Sequence, residues 1–160
     1  EKALRFAKDK GLKVSLDLAS YNVVEENLEF LQMIVRHYVD ILFANEEEAK
    51  AFTGKEPMEA VEEIAKLAEI AVVKTGRNGS LIKRGKELIQ VGIIQVKPVD
   101  TTGAGDLYAA GFLYGLSKGY SLKKCGEIGA ILGGKVIEVI GAKLNDQSWE
   151  EIMQMITGKK

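Results

Sequence analysis

Short apolar segments alternate with amphipathic helical segments over the first half of this 160-residue chain. Three of the apolar segments, LKVSLDLAS, VDILFAN and AVVKTG, have the length and composition of buried strands, and residues at helical spacing separate them. Strands that alternate with helices usually pair in parallel, because each helix returns the chain to the same end of the sheet. The alternation therefore predicts an α/β fold.

The remaining elements are predicted from turn residues and apolar spacing. Asn78-Gly79 and Gly85-Lys86 predict the turns around an antiparallel hairpin, whose last strand is placed at 88–96. Together the elements predict a three-layer α/β/α fold with a mostly parallel sheet over residues 1–160. The predicted helices lie at 2–10, at 24–37, through EEEAKAF up to Gly54, from Pro57 through MEAVEEIAKLAEI, and at about 104–118, 121–139 and 148–156.

Composition argues against several functional classes. A net charge of −1 gives no basic field that would attract nucleic acid or an anionic membrane. No apolar run approaches the ~20 residues of a membrane-spanning helix, and no signal-peptide pattern opens the chain. The single Cys125 excludes an intramolecular disulfide and fits a reducing compartment. We therefore expect a cytoplasmic protein without nucleic-acid or membrane partners.

The segment DTTGAGD, residues 100–106, carries the strongest functional signal. Gly103, Ala104 and Gly105 leave backbone amides unobstructed at a predicted helix start, where amides lack helical partners and the helix dipole favours an anion. Asp106 falls in the same first turn and could accept a proton from a hydroxyl group beside a bound phosphate. Phosphoryl transfer requires such donors and such a base. The alternative is a glycine-rich turn in which Asp106 only caps the helix.

The extended string VDTTGAGD, followed by LYAAGFLYGL, resembles the signature of the ribokinase and adenosine kinase superfamily, the phosphofructokinase-B-type carbohydrate kinases. Three further segments agree with it: NEEE at 45–48, KTGRNG at 74–79 and KVIEVIGA at 135–142. With them, the resemblance covers nearly the whole chain and matches the C-terminal half of that family. It implies a kinase that transfers the γ-phosphoryl group of ATP to a primary hydroxyl of a sugar or nucleoside. Asp106 would be the general base, and the amides of residues 103–106 would hold the developing charge.

The resemblance also implies metal sites. Asn45 and Glu48 match the family's Asn-x-x-Glu motif and would organise Mg²⁺ through its waters, a role suited to amide and carboxylate oxygens. The alternative is that the glutamates after Asn45 simply favour a helix start. Asp100 and the carbonyl of Thr102 would be candidate ligands of a monovalent cation such as K⁺. Asp17 stands where family members often carry Asp-x-Asn, but Ala19 replaces the asparagine, so a metal role and a strand-end cap both remain open.

Other residues are assigned to the nucleotide. Thr75, Gly76 and Gly79, in the loop KTGRNG, would border ATP, with a plain hairpin turn as the alternative reading, and Ala130 is assigned to the same ligand. The string GAILGGK around Ala130 has P-loop spacing. Val136 follows it in place of Ser or Thr, and it lies within a helical pattern. We therefore interpret its glycines as residues for close helix packing or for the approach of adenine.

No recognisable motif here serves the acceptor, which the N-terminal half of the family binds. We therefore expect the isolated chain to be inactive, and either to form a homo-oligomer or to need the missing N-terminal half. Two other classes remain open at this point. One is a non-catalytic nucleotide-binding fragment or regulatory module, and the other is a Rossmann-type dinucleotide protein. The second is disfavoured because no Gly-x-Gly-x-x-Gly follows the first strand.

Overall fold

The computed structural model describes residues 1–158, which form two compact units. The sheet unit comprises residues 1–76 and 80–90, and the helical unit comprises residues 77–79 and 91–158. No helix within residues 1–158 combines the length and apolar character that crossing a bilayer requires. The elements are α1 (Lys2–Asp9), β1 (Ser15–Asp17), α2 (Tyr21–Glu26), α3 (Leu28–Tyr38), β2 (Ile41–Asn45), α4 (Glu46–Thr53), α5 (Pro57–Ile64), β3 (Ile70–Lys74), β4 (Ser80–Arg84), β5 (Glu87–Val91), α6 (Ala104–Ser117), α7 (Leu122–Val136) and α8 (Asp146–Thr157).

The strands form one five-stranded sheet in the order β1-β2-β3-β4-β5. The pairs β1–β2 and β2–β3 are parallel, and β3 pairs with β4 in the antiparallel direction. Helices α2 and α3 connect β1 to β2, and helices α4 and α5 connect β2 to β3. The structure thus confirms the predicted α/β fold with a hairpin after its parallel strands.

The central strands are buried on both faces. Leu42, Ala71 and Val73 belong to a core shared with helices α2 to α5, and Phe43 and Val72, which alternate with them, are at most 1% exposed. Strands buried on both faces have nearly continuous apolar sequences, because neither set of alternate side chains meets water. This is why VDILFAN and AVVKTG could be recognised as strands.

Several predicted elements are shorter than their sequence pattern suggested. The helix predicted from Pro57 through MEAVEEIAKLAEI ends at Ile64, and Ile70, the last residue of that string, begins β3. The helix predicted over 24–37 is interrupted at Asn27, whose backbone is not helical and whose side chain donates to the carbonyl of Val23 at 3.0 Å. Asparagine competes with helical hydrogen bonding in this way. The strand predicted at 88–96 ends at Val91. Gly92 follows directly, and glycine stabilises a strand poorly.

Helices α6 and α7 approach each other through glycines. A Cβ atom at Gly129 would lie 2.9 Å from the carbonyl oxygen of Tyr108, and one at Gly111 would lie 2.9 Å from the carbonyl oxygen of Ile128. The string GAILGGK lies inside α7, which confirms the interpretation of its glycines as helix-packing residues and not as a P-loop.

Asp40 ties the amino-terminal ends of the strands together. Its carboxylate accepts hydrogen bonds from Lys8 Nζ at 2.9 Å and from the Val14 amide at 2.7 Å, and its side chain is only 12% exposed. Burial raises the pKa of this carboxyl, but the bonds from Lys8 and Val14 and the charges of Lys8 and Lys13 outweigh it. The pKa of Asp40 in the folded protein is therefore below its ordinary value.

We expect Asp40→Asn to lower the free energy of unfolding by about 2 kcal/mol at pH 7, since bonds to a charged group are lost. A depressed pKa adds stability above the unfolded-state pKa, and this contribution disappears as the pH falls through the folded-state pKa. The difference between wild type and variant in urea unfolding should therefore shrink below about pH 4. Glu69→Gln, which removes an exposed partner of Lys13, should cost less than about 1 kcal/mol. A pH-independent deficit in Asp40→Asn would contradict the ionic explanation.

Candidate active site

The start of α6 presents unpaired backbone amides. Gly103 is the N-cap, and no side chain of the described residues 1–158 caps this helix end. The Ala104 amide donates to the carbonyl of Thr101 at 3.2 Å, so it is already partnered. Within residues 1–158, the amides of Gly103, Gly105 and Asp106 have no acceptor. Of the residues predicted to hold an anion, Gly103 and Gly105 thus offer free donors, and Asp106 adds a third.

Gly103 is required by both conformation and space. Its φ of 78° lies in the left-handed region, where residues with a Cβ atom are strained. A Cβ atom here would also lie 2.6 Å from the Cβ atom of Ala142. The closely approaching segment at Ala142 therefore fixes where the chain enters α6.

Asp100 connects the loop before α6 to that same segment. Its Oδ1 accepts from the amide and the hydroxyl of Thr102, at 2.9 and 2.7 Å, and its Oδ2 accepts from the Gly141 amide at 2.8 Å. The Gly141 bond, followed by those from Thr102, holds the pKa of Asp100 below its ordinary value. Sequence reasoning proposed Asp100 as a cation ligand and missed this role in fixing the loop.

The carboxylate of Asp106 is exposed at the third position of α6. It makes no hydrogen bond or ion pair with any residue in the described range 1–158. A carboxylate without a structural partner beside free amide donors is available to accept a proton from a bound hydroxyl group.

A second group of polar residues lies in the sheet unit, where β1, β2 and β3 end. The register pairs Asp17 with Phe43 and Asn45 with Lys74. Because side chains alternate along a strand, Asp17, Asn45 and Lys74 belong to the same face of the sheet as Phe43. Ligands of open α/β sheets bind at the carboxyl ends of parallel strands, so this is the edge where a ligand is expected.

Asn45 and Glu48 are locked together at the start of α4. The Glu48 amide donates to Asn45 Oδ1 at 2.8 Å, while Glu48 accepts from the Asn45 amide at 2.7 Å and from Asn45 Nδ2 at 2.8 Å. Glu48 is only 4% exposed, and this burial raises its pKa. The Asn45 bond and the charge of Lys74 oppose the rise, while the charge of Asp17 adds to it.

These residues fit Mg²⁺ through its waters better than they fit direct ligation. Both oxygens of Glu48 already accept a hydrogen bond, and each retains a lone pair for a metal-bound water. Residues 1–158 contain no group of three or more acidic, histidine or cysteine side chains that could hold a metal directly. An ion that keeps most of its water suits this arrangement, because Mg²⁺ loses water reluctantly.

Asp17 is held from two sides. Its Oδ2 accepts from Lys74 Nζ at 2.7 Å, and its Oδ1 accepts from the Ala19 amide at 3.2 Å. Ala19 has a φ of 63°, a left-handed conformation that alanine adopts at a cost. Sequence reasoning left open whether Asp17 caps the strand or holds a metal, and it missed Lys74. A lysine that ends an otherwise buried strand was the available signal.

The remaining predicted nucleotide residues are Thr75, Gly76 and Gly79, between β3 and β4, and Ala130, on α7. Thr75 is 7% exposed and directly follows β3, and a short 3₁₀-helix spans Gly76–Asn78. Gly79, at φ 89°, has a packing role, since a Cβ atom there would lie 1.9 Å from the carbonyl oxygen of Val91. Ala130 is half-buried on α7. A nucleotide role for these residues stays a prediction.

Free amides with a carboxylate at one helix start, and an amide–carboxylate pair at the strand ends, are features of α/β proteins that bind and transfer phosphate groups. The chain belongs to the pfkB family of carbohydrate kinases, whose sequence profile matches residues 3–149. This result agrees with the resemblance that the DTTGAGD motif indicated.

Individual relatives agree with the family assignment. An uncharacterized sugar kinase of Archaeoglobus fulgidus is 36% identical over 120 residues, 74% of this chain and 48% of that protein. A nucleoside kinase of Methanocaldococcus jannaschii is 33% identical over 129 residues, 80% of this chain and 42% of that protein. The crystal structure of adenosine kinase from Sinorhizobium meliloti superposes with a TM-score of 0.90 at 36% identity, covering 96% of this chain and 48% of that one. The chain thus spans about half the length of the relatives it matches.

Proposed function

We propose that the protein transfers the γ-phosphoryl group of MgATP to a primary hydroxyl of a sugar or nucleoside. The observation that carries the proposal is the start of α6, where, among residues 1–158, the amides of Gly105 and Asp106 find no acceptor and the Asp106 carboxylate finds no partner. Kinases of this family use ATP, generally with Mg²⁺. In this reaction the amides hold the charge on the transferring group while Asp106 takes the hydroxyl proton.

The other residues of the two groups have supporting roles in this proposal. Asn45 and Glu48 orient waters of Mg²⁺, which when bound screens the phosphate charges. Asp100 keeps the amides of α6 in place, and a monovalent cation such as K⁺ would use the carbonyl of Thr102 beside it. The residues proposed to border the bound ATP are Thr75, Gly76, Gly79 and Ala130.

The acceptor is proposed only as a class. The relatives include a protein named as a sugar kinase, one named as a nucleoside kinase and one named as an adenosine kinase. Because the chain spans about half of each, we propose that residues 1–160 correspond to the nucleotide-binding and catalytic portion of such a kinase. The single Cys125 supports the cytoplasm as the proposed location.

Glu48→Gln should raise the Mg²⁺ concentration needed for half-maximal rate by about tenfold or more, because a charge that orients metal-bound water is removed. Glu46→Gln is the matched control, since Glu46 lies in the same first turn but is exposed. The measurement is the initial rate against Mg²⁺ at saturating ATP, with thermal unfolding in parallel to separate loss of the capping interaction. Equal shifts in the two variants would indicate a diffuse acidic surface in place of a metal site.

Measuring ADP formation by the complete protein, with and without each member of a sugar and nucleoside panel, tests the proposed function. We expect formation of ADP that depends on one acceptor class, and binding of MgATP in preference to NAD. Tight MgATP binding with no acceptor-dependent ADP would favour a non-catalytic nucleotide module. Preference for NAD would overturn the assignment.

A further inference from the structure

We propose that Lys74 is a phosphate-binding residue of the nucleotide site and that Asp17 is the positioning residue that holds it. This inference rests on the proposed function. Lys74 is the last residue of β3, at the strand ends where Asn45 and Glu48 are joined. Its Nζ lies 2.7 Å from Asp17 Oδ2, and its side chain is 16% exposed. The ammonium group is therefore held in one direction while part of the side chain remains accessible.

The charges at this edge support the assignment. The four polar side chains at this edge form two pairs, Asn45 with Glu48 and Asp17 with Lys74. Asp17 and Glu48 are acidic, and Lys74 is the cation among the four. The charges of both Lys74 and Asp17 act on Glu48, which places all three within electrostatic range. A metal bound through Glu48 can screen only part of a triphosphate's charge, so a fixed ammonium group beside it would stabilise the phosphates further.

The turn after β1 favours a positioning role for Asp17. The left-handed conformation of Ala19, at φ 63°, accompanies the bond from its amide to the second oxygen of Asp17, at 3.2 Å. A strained backbone residue persists only where its surroundings determine its conformation. With one oxygen bound by the Ala19 amide and the other by Lys74, Asp17 is used as an anchor.

A second buried lysine provides a matched control. Lys83 on β4 forms an ion pair with Glu62 at 3.0 Å, and its side chain is 13% exposed, close to the value for Lys74. Lys83 pairs in register with Ala71 and not with the end of β3, so it lies away from the proposed ligand edge. Loss of either lysine removes a partly buried ion pair, but only loss of Lys74 should affect phosphate recognition.

The test is calorimetric titration of the complete protein with MgATP, MgADP and AMP. Lys74→Met should weaken the binding of MgATP and of MgADP by about tenfold, the effect of losing one bond to a charged group. It should change the affinity for AMP by less than about twofold. Lys74→Arg should restore most of the affinity because it keeps the charge. Lys83→Met should leave all three affinities within about twofold of wild type. Asp17→Asn should weaken the binding of MgADP and MgATP. The double variant Asp17→Asn with Lys74→Met should bind them as tightly as Lys74→Met alone, since the two residues act as one unit.

The possible failures are distinguishable. Wild-type protein that binds neither MgATP nor MgADP would refute the proposed function and this inference with it. If wild type binds both and Lys74→Met binds them equally well, only the assignment of Lys74 fails. The assignment also fails if Lys74→Met lowers the affinity for AMP as much as the affinity for MgATP, because that result would show that Lys74 has a structural role. Should Lys74→Met not fold, Lys74→Gln and Asp17→Asn carry the same comparison.

Discussion

Asp106→Asn is expected to lower kcat by at least ~100-fold in the complete protein while leaving MgATP affinity almost unchanged. The variant keeps the size of the side chain and the free amides of α6, but an amide group cannot accept the proton of the attacking hydroxyl. Because Asp106 makes no hydrogen bond or ion pair within residues 1–158, its replacement should leave the fold intact. Steady-state rates and nucleotide titration on the same preparation would measure both effects.

Asp146→Asn provides the control for this experiment. Asp146 is also an exposed first-turn aspartate, at the start of α8, so its loss removes a similar favourable interaction with a helix dipole. It should lower stability slightly and leave kcat unchanged. If Asp106→Asn turned over at a nearly normal rate, Asp106 would be only a helix-start residue, the alternative that the sequence left open.

Gly103→Ala is expected to lower kcat/KM by about 100-fold, because a displacement of about 1 Å near reacting groups can have that effect. The new methyl group would occupy a left-handed backbone position, at φ 78°, and would lie 2.6 Å from the Cβ atom of Ala142. The chain must shift to relieve the contact, and the free amides of Gly105 and Asp106 would shift with it.

The double variant Gly103→Ala with Ala142→Gly separates the two causes. Removing the Ala142 methyl group removes the contact but leaves the backbone strain, so we expect partial recovery of kcat/KM. Ala142→Gly alone should retain near-normal activity. Wild-type kcat/KM in Gly103→Ala would show that the entry into α6 need not be fixed. Full recovery in the double variant would assign the whole effect to the contact.

Features that depend on local sequence were predictable. The apolar strands, the glycine that ends α4 and the loop at residues 100–106 each show a short pattern whose physical cause lies within a few residues. The P-loop reading of GAILGGK could also be rejected locally, because a P-loop requires a Ser or Thr that the string lacks. The structure agrees, since the string lies inside α7.

Features that depend on distant partners were not predictable. The Asp17–Lys74 pair joins residues 57 positions apart, and the bond from Gly141 to Asp100 spans 41 positions. Helix α8 gives a further example. Trp149, Ile152, Met153 and Ile156 have the spacing of one helical face, yet Ile152 and Ile156 are buried while Trp149 and Met153 are 42% and 44% exposed. Spacing identifies a helical face but not how far a neighbouring surface extends over it.

The most direct test of the central claim is the fate of the γ-phosphoryl group. The complete protein would be incubated with γ-labelled ATP, Mg²⁺ and matched acceptors that carry or lack the primary hydroxyl, such as adenosine with 5′-deoxyadenosine and ribose with 5-deoxyribose. We predict that the label moves to the primary hydroxyl of one acceptor class, is not transferred to its deoxy analogue, and moves at least ~100-fold more slowly in Asp106→Asn. Label released only as inorganic phosphate, or transferred equally to the deoxy analogue, would contradict phosphoryl transfer to a primary alcohol.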